Sequence, residues 1–132
     1  MKHLHEKNEQ YAEPSVGILD TFPSGGISRV ILTQKEFTSL CPLTKQPDYC
    51  TIRIEYAPKE LCVESKSLKL YLSSYRNVGA FAETLARRIG EDLFKVLSPR
   101  YLSITVQTAP RGGIDIEATA RVWGRTEAGD NG

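Results

Sequence analysis

The chain has 132 residues, with 17 lysines and arginines against 16 aspartates and glutamates, so its formal net charge is +1. Apolar residues make up 40% and charged residues 25%, the balance of an ordinary globular domain. The length suits one domain with its own core, and the near-neutral charge excludes a general attraction to nucleic acid or acidic membranes. No segment is apolar enough for a secretory leader or a membrane span, so we expect a cytoplasmic protein.

Three cysteines, Cys41, Cys50 and Cys62, are too few and too irregularly spaced to form a disulfide framework. No pair has the C-x-x-C spacing of a zinc site. The two histidines, His3 and His5, lie in the polar N-terminal segment. We therefore expect a reducing compartment, no metal, and neither a Cys–His nor a Ser–His dyad.

The first predicted strands form a hairpin. Residues 28–37 are rich in β-branched and aromatic residues, and residues 49–58 alternate clearly between apolar and polar side chains. Between them, residues 38–47 are interrupted by two prolines, which is typical of a loop. We predict that this loop lies at the tip of the hairpin.

Two helices are predicted next. Residues 65–76 carry apolar side chains at helical spacing, with Ser65 as the expected N-cap. Residues 77–97 hold a longer apolar stripe that begins at Val78, with Asn77 as the expected N-cap. A serine and a proline then end this helix.

Two final strands, 101–109 and 112–123, complete the order ββααββ. This order indicates an α+β fold with a four-stranded antiparallel sheet and two helices on one face. The polar ends, residues 1–14 and 125–132, are expected to be flexible and to flank a single domain at 15–124. Such a sheet leaves an edge strand at each side, which assembly of several copies into a barrel would cover.

Cys41 is the first candidate for chemistry. It stands directly before Pro42, and Asp48 follows seven positions later, directly after Pro47. One interpretation is a buried apolar thiol, as most free cysteines are. The other is a nucleophile with Asp48 as its proton partner. Cys50, on the apolar face of a predicted strand, suits the first interpretation better, but the residues alone leave both open for Cys41.

Two helix starts and one turn carry further candidates. Lys66 and Lys69 are three residues apart and project from one face of the first helix, whose serine-rich first turn suits a phosphate. Glu83, early in the second helix, would either complement the helix dipole or accept two N–H donors from a guanine-like ring. Arg111, between the last two strands, is a candidate phosphate ligand. For the two lysines and for Arg111, a merely solvent-exposed side chain is the alternative interpretation.

Five motifs together resemble one family. In chain order they are "EFTSLCPLTKQPDY", "VESKSLKLYL", "YRNVGAF" followed by Glu83, "SPRY" and "PRGGI". From about residue 28 to residue 117 the chain resembles the NADPH-dependent 7-cyano-7-deazaguanine reductases, the nitrile reductases of queuosine biosynthesis. The resemblance implies the tunnelling fold, whose ββααββ subunits assemble into an oligomeric barrel with sites between neighbouring subunits.

The resemblance also implies a reaction in which a nitrile becomes a primary amine at the expense of two NADPH. Cys41 would add to the nitrile carbon to give a covalent thioimide, and Asp48 would protonate the nitrogen. Reduction of the adduct would release an imine, which the second NADPH would reduce to 7-aminomethyl-7-deazaguanine. NADPH would be a dissociable cosubstrate, and no metal would take part.

The same resemblance implies two sets of binding residues. The residues expected to contact the substrate are Val63, Glu64, Ser65, Ala82 and Glu83, with Glu83 holding the deazaguanine ring. The residues expected to contact NADPH are Ser65, Lys66, Ser67, Lys69 and Arg111. The chain departs from many members of the family in having Ala82 where they have a histidine.

Two other functions stay open. One is an amidine-forming enzyme of archaeosine synthesis, which would use the same cysteine on a nitrile already in tRNA, with ammonia as the second reactant. The other is a non-catalytic tunnelling-fold protein that binds a purine or pterin. The lysines of the first helix favour reduction, and the near-neutral charge argues against direct contact with nucleic acid. The expected partners are therefore a small-molecule substrate and further copies of this chain, with no membrane.

Overall fold

The computed structural model describes residues 11–124. Most of the predicted flexible N-terminal segment, residues 1–10, and the whole predicted tail, residues 125–132, lie outside the described residues. After a short 3₁₀ turn at Val16–Ile18, the strands are β1 (Thr21–Pro23), β2 (Val30–Leu40), β3 (Pro47–Ala57), β4 (Leu61–Val63), β5 (Tyr101–Thr108) and β6 (Glu117–Trp123). The helices are α1 (Ser65–Ser73) and α2 (Ala82–Leu97).

The main sheet has the strand order β2-β3-β5-β6, and every pair in it is antiparallel. This confirms the predicted α+β class, with four strands and two helices in the order ββααββ. A second sheet of two strands, β1 and β4, was not predicted. Each of these strands has only three residues, which is too few to show an alternating pattern.

The core lies between the helices and one face of the main sheet. The alternation in β3 turns Ile52, Ile54 and Tyr56 inward, and all three are at most 1% exposed. The α2 stripe that faces them has its fully buried residues four apart, at Leu85, Ile89, Leu93 and Leu97. Burying each of these side chains stabilises the fold by roughly 1.5–3 kcal/mol.

A buried polar contact joins α1 to α2. The Tyr71 hydroxyl donates to Asp92 Oδ2 at 2.6 Å and lies 2.7 Å from the Tyr75 hydroxyl. Burial raises the pKa of Tyr75 to about 12 and raises that of Tyr71 further, so both hydroxyls stay protonated. The guanidinium of Arg88 lies over the Tyr75 ring, 5.3 Å from its centroid. The contact therefore links α1 to α2 through a hydrogen bond.

The prediction that α2 begins at residue 77 is wrong. Residues 78–80 are extended and pair with Leu40. The Leu40 N–H donates to the Val78 carbonyl at 2.9 Å, and the Leu40 carbonyl accepts from the Ala80 N–H at 3.1 Å. Gly79, the central residue of this pairing, is a poor helix former. The helix therefore begins at Ala82, with Phe81 rather than Asn77 at the N-cap. As a result, the start of α2 is attached to the residue that precedes Cys41.

Further element ends differ from the prediction: β2 runs to Leu40, β3 begins at Pro47 and α1 ends at Ser73, so the loop between the two strands is shorter than predicted. Ser65 is the first residue of α1 and not its N-cap, because the preceding Glu64 takes that position.

The last strand begins at Glu117 and not at residue 112, because Arg111 and Ile114 form a separate turn. The two glycines within this turn have φ of 60° and 83°, which L side chains rarely adopt.

In the described part of the chain, the second face of the main sheet carries no helix and is largely polar. Glu55 accepts hydrogen bonds from Arg29 and from the Tyr101 hydroxyl on this face. The Tyr101 ring lies 5.3 Å from the ring of Trp123, which is 69% exposed at the end of the edge strand β6. Within residues 11–124, no helix has the length and apolar character needed to cross a membrane.

Candidate active site

The loop between β2 and β3 places Cys41 at the tip of the hairpin, as predicted. The Cys41 N–H donates to the Gln46 carbonyl at 2.8 Å, and the Cys41 carbonyl accepts from the Lys45 N–H at 2.9 Å. Pro42 fixes φ at the start of the turn, and Lys45 closes it with a φ of 62°. The loop leaves Cys41 9% exposed, so the thiol is largely covered.

Hydrogen-bond donors surround the Cys41 sulfur. The Thr44 hydroxyl, the N–H groups of Thr44 and Leu43 and the Arg111 guanidinium all favour the thiolate. They outweigh the opposing effect of burial and lower the pKa of Cys41 to about 7. Thr44 was not among the predicted site residues. The sequence could have indicated Thr44, because proline favours the second position of a four-residue turn. In "CPLT" that turn begins at Cys41 and has Thr44 in its fourth position.

Asp48 and Arg111 complete what we call the thiol cluster, formed by Cys41, Asp48 and Arg111. Asp48 lies opposite Ser39 in the β2–β3 register, and Arg111 Nη1 forms an ion pair with its Oδ1. The Arg111 guanidinium also reaches the Cys41 thiol, and these two partners raise the pKa of Arg111. Arg111, which was predicted to bind the cofactor, therefore contacts both residues of the predicted catalytic pair.

The other two cysteines have different surroundings. Cys50 and Cys62 are each 5% exposed and belong to the core, and all three cysteines are unpaired. Burial, together with the nearby Asp48 charge, raises the pKa of Cys50 to about 11. Burial therefore favours the protonated thiol at Cys50, whereas the donors around Cys41 favour its thiolate.

The start of α2 lies beside the thiol cluster. Gly79 packs on the loop so closely that an added Cβ would stand 3.4 Å from the Pro42 Cα. Ala82 belongs to the core, whereas Glu83 lines an open groove of about 600 Å³ between α2 and β6. Of the predicted substrate residues at this end, Glu83 thus faces a groove, and the Ala82 side chain faces the core.

The remaining predicted residues lie around α1. Ser65 and Lys69 line a second groove of about 230 Å³, which we call the α1 groove. Its other residues are Leu32, Thr33, Gln34, Ile54, Leu68 and Leu72. Lysine and serine offer hydrogen-bond donors on an apolar floor, a combination that suits a phosphate-bearing cofactor.

Other predicted binding residues near α1 already have hydrogen-bond partners within the chain. The Glu64 carboxylate accepts from the N–H groups of Lys66 at 2.7 Å and Ser67 at 2.8 Å, so these groups are not free for a phosphate. The Ser67 hydroxyl is buried, where it donates to the Glu64 carbonyl and accepts from the Asp20 N–H. Val63 is buried and its N–H donates to Tyr56. The Ser67 hydroxyl is thus buried within the chain, whereas a residue that contacts the cofactor was expected at the surface.

The thiol cluster and the α1 groove are far apart within one chain. The groove meets β2 at residues 32–34, and Cys41 lies seven residues beyond the nearer end of that range. A strand rises about 3.3 Å per residue, so the two are separated by on the order of 20 Å. Within one chain, the thiol cluster and the α1 groove are therefore separate surfaces, with Cys41 at one and Lys69 at the other.

Residues 47–127 match the family model described as QueF-like protein. The chain belongs to the QueF-like family. The match includes Asp48, α1 and Arg111.

Among QueF-like relatives, a protein of Streptococcus thermophilus named NADPH-dependent 7-cyano-7-deazaguanine reductase is 60% identical over 82 residues, which are 62% of this chain. The aligned part spans only 50% of that relative. A protein of the same name from an Anaeromyxobacter species is 48% identical over 106 residues, or 78% of this chain and 87% of the relative. A span of that length must include Cys41, which lies before the range of the family model.

A solved structure shows the same QueF-like fold. It is the apo form of the archaeosine synthase QueF-Like, with a TM-score of 0.70 and 27% identity. The similarity covers 76% of this chain and 98% of that one.

Proposed function

We propose that this protein reduces the nitrile of 7-cyano-7-deazaguanine to 7-aminomethyl-7-deazaguanine with two NADPH, through a covalent thioimide on Cys41. The observation that carries the proposal is the thiol cluster, in which a thiol with a pKa of about 7 lies beside a carboxylate and a guanidinium. The reductase names of the relatives support the choice of substrate and cosubstrate. The unpaired cysteines agree with action in the reducing cytoplasm.

Thioimide formation follows from the cluster. The Cys41 sulfur adds to the nitrile carbon, one π bond of the nitrile breaks, and the nitrogen takes up a proton. Asp48 is ion-paired as a carboxylate, so it first accepts the proton that leaves the Cys41 thiol and then delivers it to the nitrogen. When Cys41 starts as the thiol, its proton thus ends on nitrogen. NADPH, when bound, supplies the hydride for each reduction.

The proposed binding residues divide between the neighbourhood of α2 and that of the α1 groove. Glu83, in the groove between α2 and β6, would accept N–H donors of the deazaguanine ring. Ser65, Lys66 and Lys69 would bind the phosphates of NADPH. The Ser67 hydroxyl is hydrogen-bonded within the chain and would stabilise the start of α1. The backbone around Val63, Glu64 and Ala82 would complete the substrate pocket.

We further propose that the working site is assembled from two copies of the chain in a homo-oligomer. The supporting observation is the separation of about 20 Å along β2 between the α1 groove and Cys41. Pairing of neighbouring subunits would bring the thiol cluster of one to the α1 groove of the next. It would also cover β2 and β6, the two edges of the main sheet.

The direct test combines two measurements on the purified protein. With free 7-cyano-7-deazaguanine, NADPH absorbance should fall at two equivalents per substrate. Without NADPH, intact-mass spectrometry should show the protein plus one substrate. The Cys41→Ala variant should lose both signals, and the control Cys62→Ala should keep them. An adduct on Cys41→Ala, or no substrate-dependent loss of NADPH in the wild type, would contradict the proposal.

A second candidate function follows from the similarity to the archaeosine synthase QueF-Like. An amidine-forming enzyme would form the same Cys41 adduct but would not consume NADPH. Ammonia with a nitrile-bearing tRNA would then give the amidine. The lower identity, 27% against 48–60% for the reductases, favours reduction. A protein that only binds purines or pterins would form no adduct at all.

A further inference from the structure

One buried side chain on β2 lacks a hydrogen-bond partner. In the described part of the chain, the Ser39 hydroxyl is the buried side-chain polar group for which no partner is found. Ser39 is 0% exposed, so solvent does not reach this oxygen either. The buried serines Ser67 and Ser74 differ, because their hydroxyls donate to the carbonyls of Glu64 and Tyr71. A buried hydroxyl without a partner costs free energy, so stability does not explain the serine at this position.

Ser39 lies beside the predicted catalytic pair. It precedes Cys41 by two residues, and Asp48 is its direct partner in the β2–β3 register. Both side chains lie on the core face of the sheet, because Phe37 and Cys50, two residues away on each strand, belong to the core. Opposite side chains on one face have Cβ atoms about 4.5–5.5 Å apart. Rotation about the Cα–Cβ bond of Ser39 therefore brings its hydroxyl within hydrogen-bond reach of the Asp48 carboxyl.

The Asp48 carboxylate needs a second partner during the reaction. In the structure its Oδ1 is ion-paired with the Arg111 guanidinium. In the proposed reaction Asp48 holds the thiol proton before the nitrogen receives it, and a neutral carboxyl loses the charge-assisted part of its bond to arginine. A serine hydroxyl suits this interval, because it can donate to a neutral carboxyl as well as to a carboxylate.

We propose that Ser39 is a positioning residue for Asp48, whose hydroxyl turns to the protonated carboxyl group and holds its proton toward the nitrile nitrogen. The inference rests on the proposed function and names a residue for its first step. The structure shows the resting state, in which the Ser39 hydroxyl makes no bond to Asp48.

The step balances in atoms and charge. The thiol proton passes to one oxygen of the Asp48 carboxylate, and the Ser39 hydroxyl donates to the other oxygen. The Cys41 thiolate forms the C–S bond, a π bond of the nitrile breaks, and its electron pair takes the proton from Asp48 on nitrogen. Asp48 is then a carboxylate again and can return to its ion pair with Arg111. Ser39 keeps its own proton throughout.

The experiment measures the rate of thioimide formation by intact-mass spectrometry, without NADPH. Two nitriles are used: 7-cyano-7-deazaguanine, and 2-cyanopyrimidine, a small nitrile to which thiols add without a deazaguanine pocket. Ser39→Ala should slow the maximal rate by about tenfold with either nitrile, which is the rate equivalent of one hydrogen bond. The concentration of 7-cyano-7-deazaguanine that gives half the maximal rate should not change. Ser39→Thr keeps a hydroxyl and should recover part of the rate.

Stability separates this role from a structural one. Because the Ser39 hydroxyl has no partner in the resting state, Ser39→Ala should unfold at the same urea concentration as the wild type, or a higher one. The matched control is Ser74→Ala, which removes an equally buried hydroxyl that has a partner. This variant should unfold at a lower urea concentration and form the adduct at the wild-type rate. In an Asp48→Asn background, Ser39→Ala should have no further effect on the rate, because Ser39 acts through Asp48.

Adduct formation at the wild-type rate in Ser39→Ala would overturn the inference. An undiminished effect of Ser39→Ala in the Asp48→Asn background, or a loss of stability as large as that of Ser74→Ala, would overturn it as well. The proposed function fails separately. If the wild type adds 2-cyanopyrimidine but not 7-cyano-7-deazaguanine, the substrate assignment is wrong, and the smaller nitrile still decides the role of Ser39. If the wild type adds neither nitrile, the inference and the proposed function are both wrong.

Discussion

At the scale of single residues, some contacts of the Cys41 sulfur come from neighbours in the sequence and one comes from a distant residue. Pro42 and Thr44 belong to the same turn as the thiol, and two backbone N–H groups of that turn point at the sulfur. A reader of "CPLT" alone could therefore foresee a polarised thiol. Arg111 is seventy residues away in the chain, and its contact depends on the pairing of β3 with β5. No local pattern predicts that contact.

Thr44 provides the prediction at this scale. Thr44→Val removes the hydroxyl that contributes most to the lowered pKa of Cys41, so that pKa should rise above 7. At pH 7 less thiolate is then present, and alkylation of Cys41 should slow several-fold. Thr44→Ser keeps a hydroxyl and should restore the rate. Equal rates for the valine and serine variants would show that the hydroxyl does not act on the sulfur.

At the scale of elements, the strength of the apolar pattern decided what could be predicted. The alternation in β3 and the four-residue spacing in α2 are long enough to identify both elements. The start of α2 was misplaced because residues 78–80 pair with Leu40, and that pairing partner lies almost forty residues away. The three-residue strands β1 and β4 carried no usable pattern.

The buried contact between α1 and α2 provides the prediction for elements. Tyr71→Phe removes the hydroxyl that lies between Asp92 and Tyr75, and leaves the carboxylate without its 2.6 Å donor. The free energy of unfolding should fall by about 1–3 kcal/mol, because a partly buried acceptor loses its partner. Urea unfolding at equal protein concentration measures this.

The control for Tyr71→Phe is Tyr49→Phe, because the Tyr49 side chain is exposed. Its effect on the free energy of unfolding should stay within about 0.5 kcal/mol. If the two variants lost the same stability, the hydroxyl contact would not be what joins the helices.

At the scale of the whole molecule, the thiol cluster and the α1 groove lie apart along β2. The family resemblance predicted sites between subunits, and the distance along β2 supplies a physical reason for that prediction. The sequence predicted which residues take part, namely Cys41, Asp48, Lys66 and Lys69. It could not show that Cys41 and Lys69 lie toward opposite ends of β2, because that follows from how α1 packs along β2.

Mixed oligomers test the two-subunit site. Cys41→Ala and the double variant Lys66→Ala, Lys69→Ala should each be inactive alone. Refolded together at equal amounts, they should recover up to about a quarter of wild-type NADPH oxidation, because a heterologous interface pairs an intact thiol cluster with an intact α1 groove at that frequency. Refolding each variant with itself is the control. No activity above the two parents would place each complete site within one chain.

The position of Trp123 gives the molecule a built-in optical signal. It is the single tryptophan of the chain, and it lies exposed at the end of β6 against the ring of Tyr101. In a lone subunit its indole is in water and should emit at long wavelength. Any neighbour that covers this edge of the sheet should shift the emission to shorter wavelength. Fluorescence during dilution would then follow the assembly of the protein without a label, and could be read in the same cuvette as its NADPH turnover.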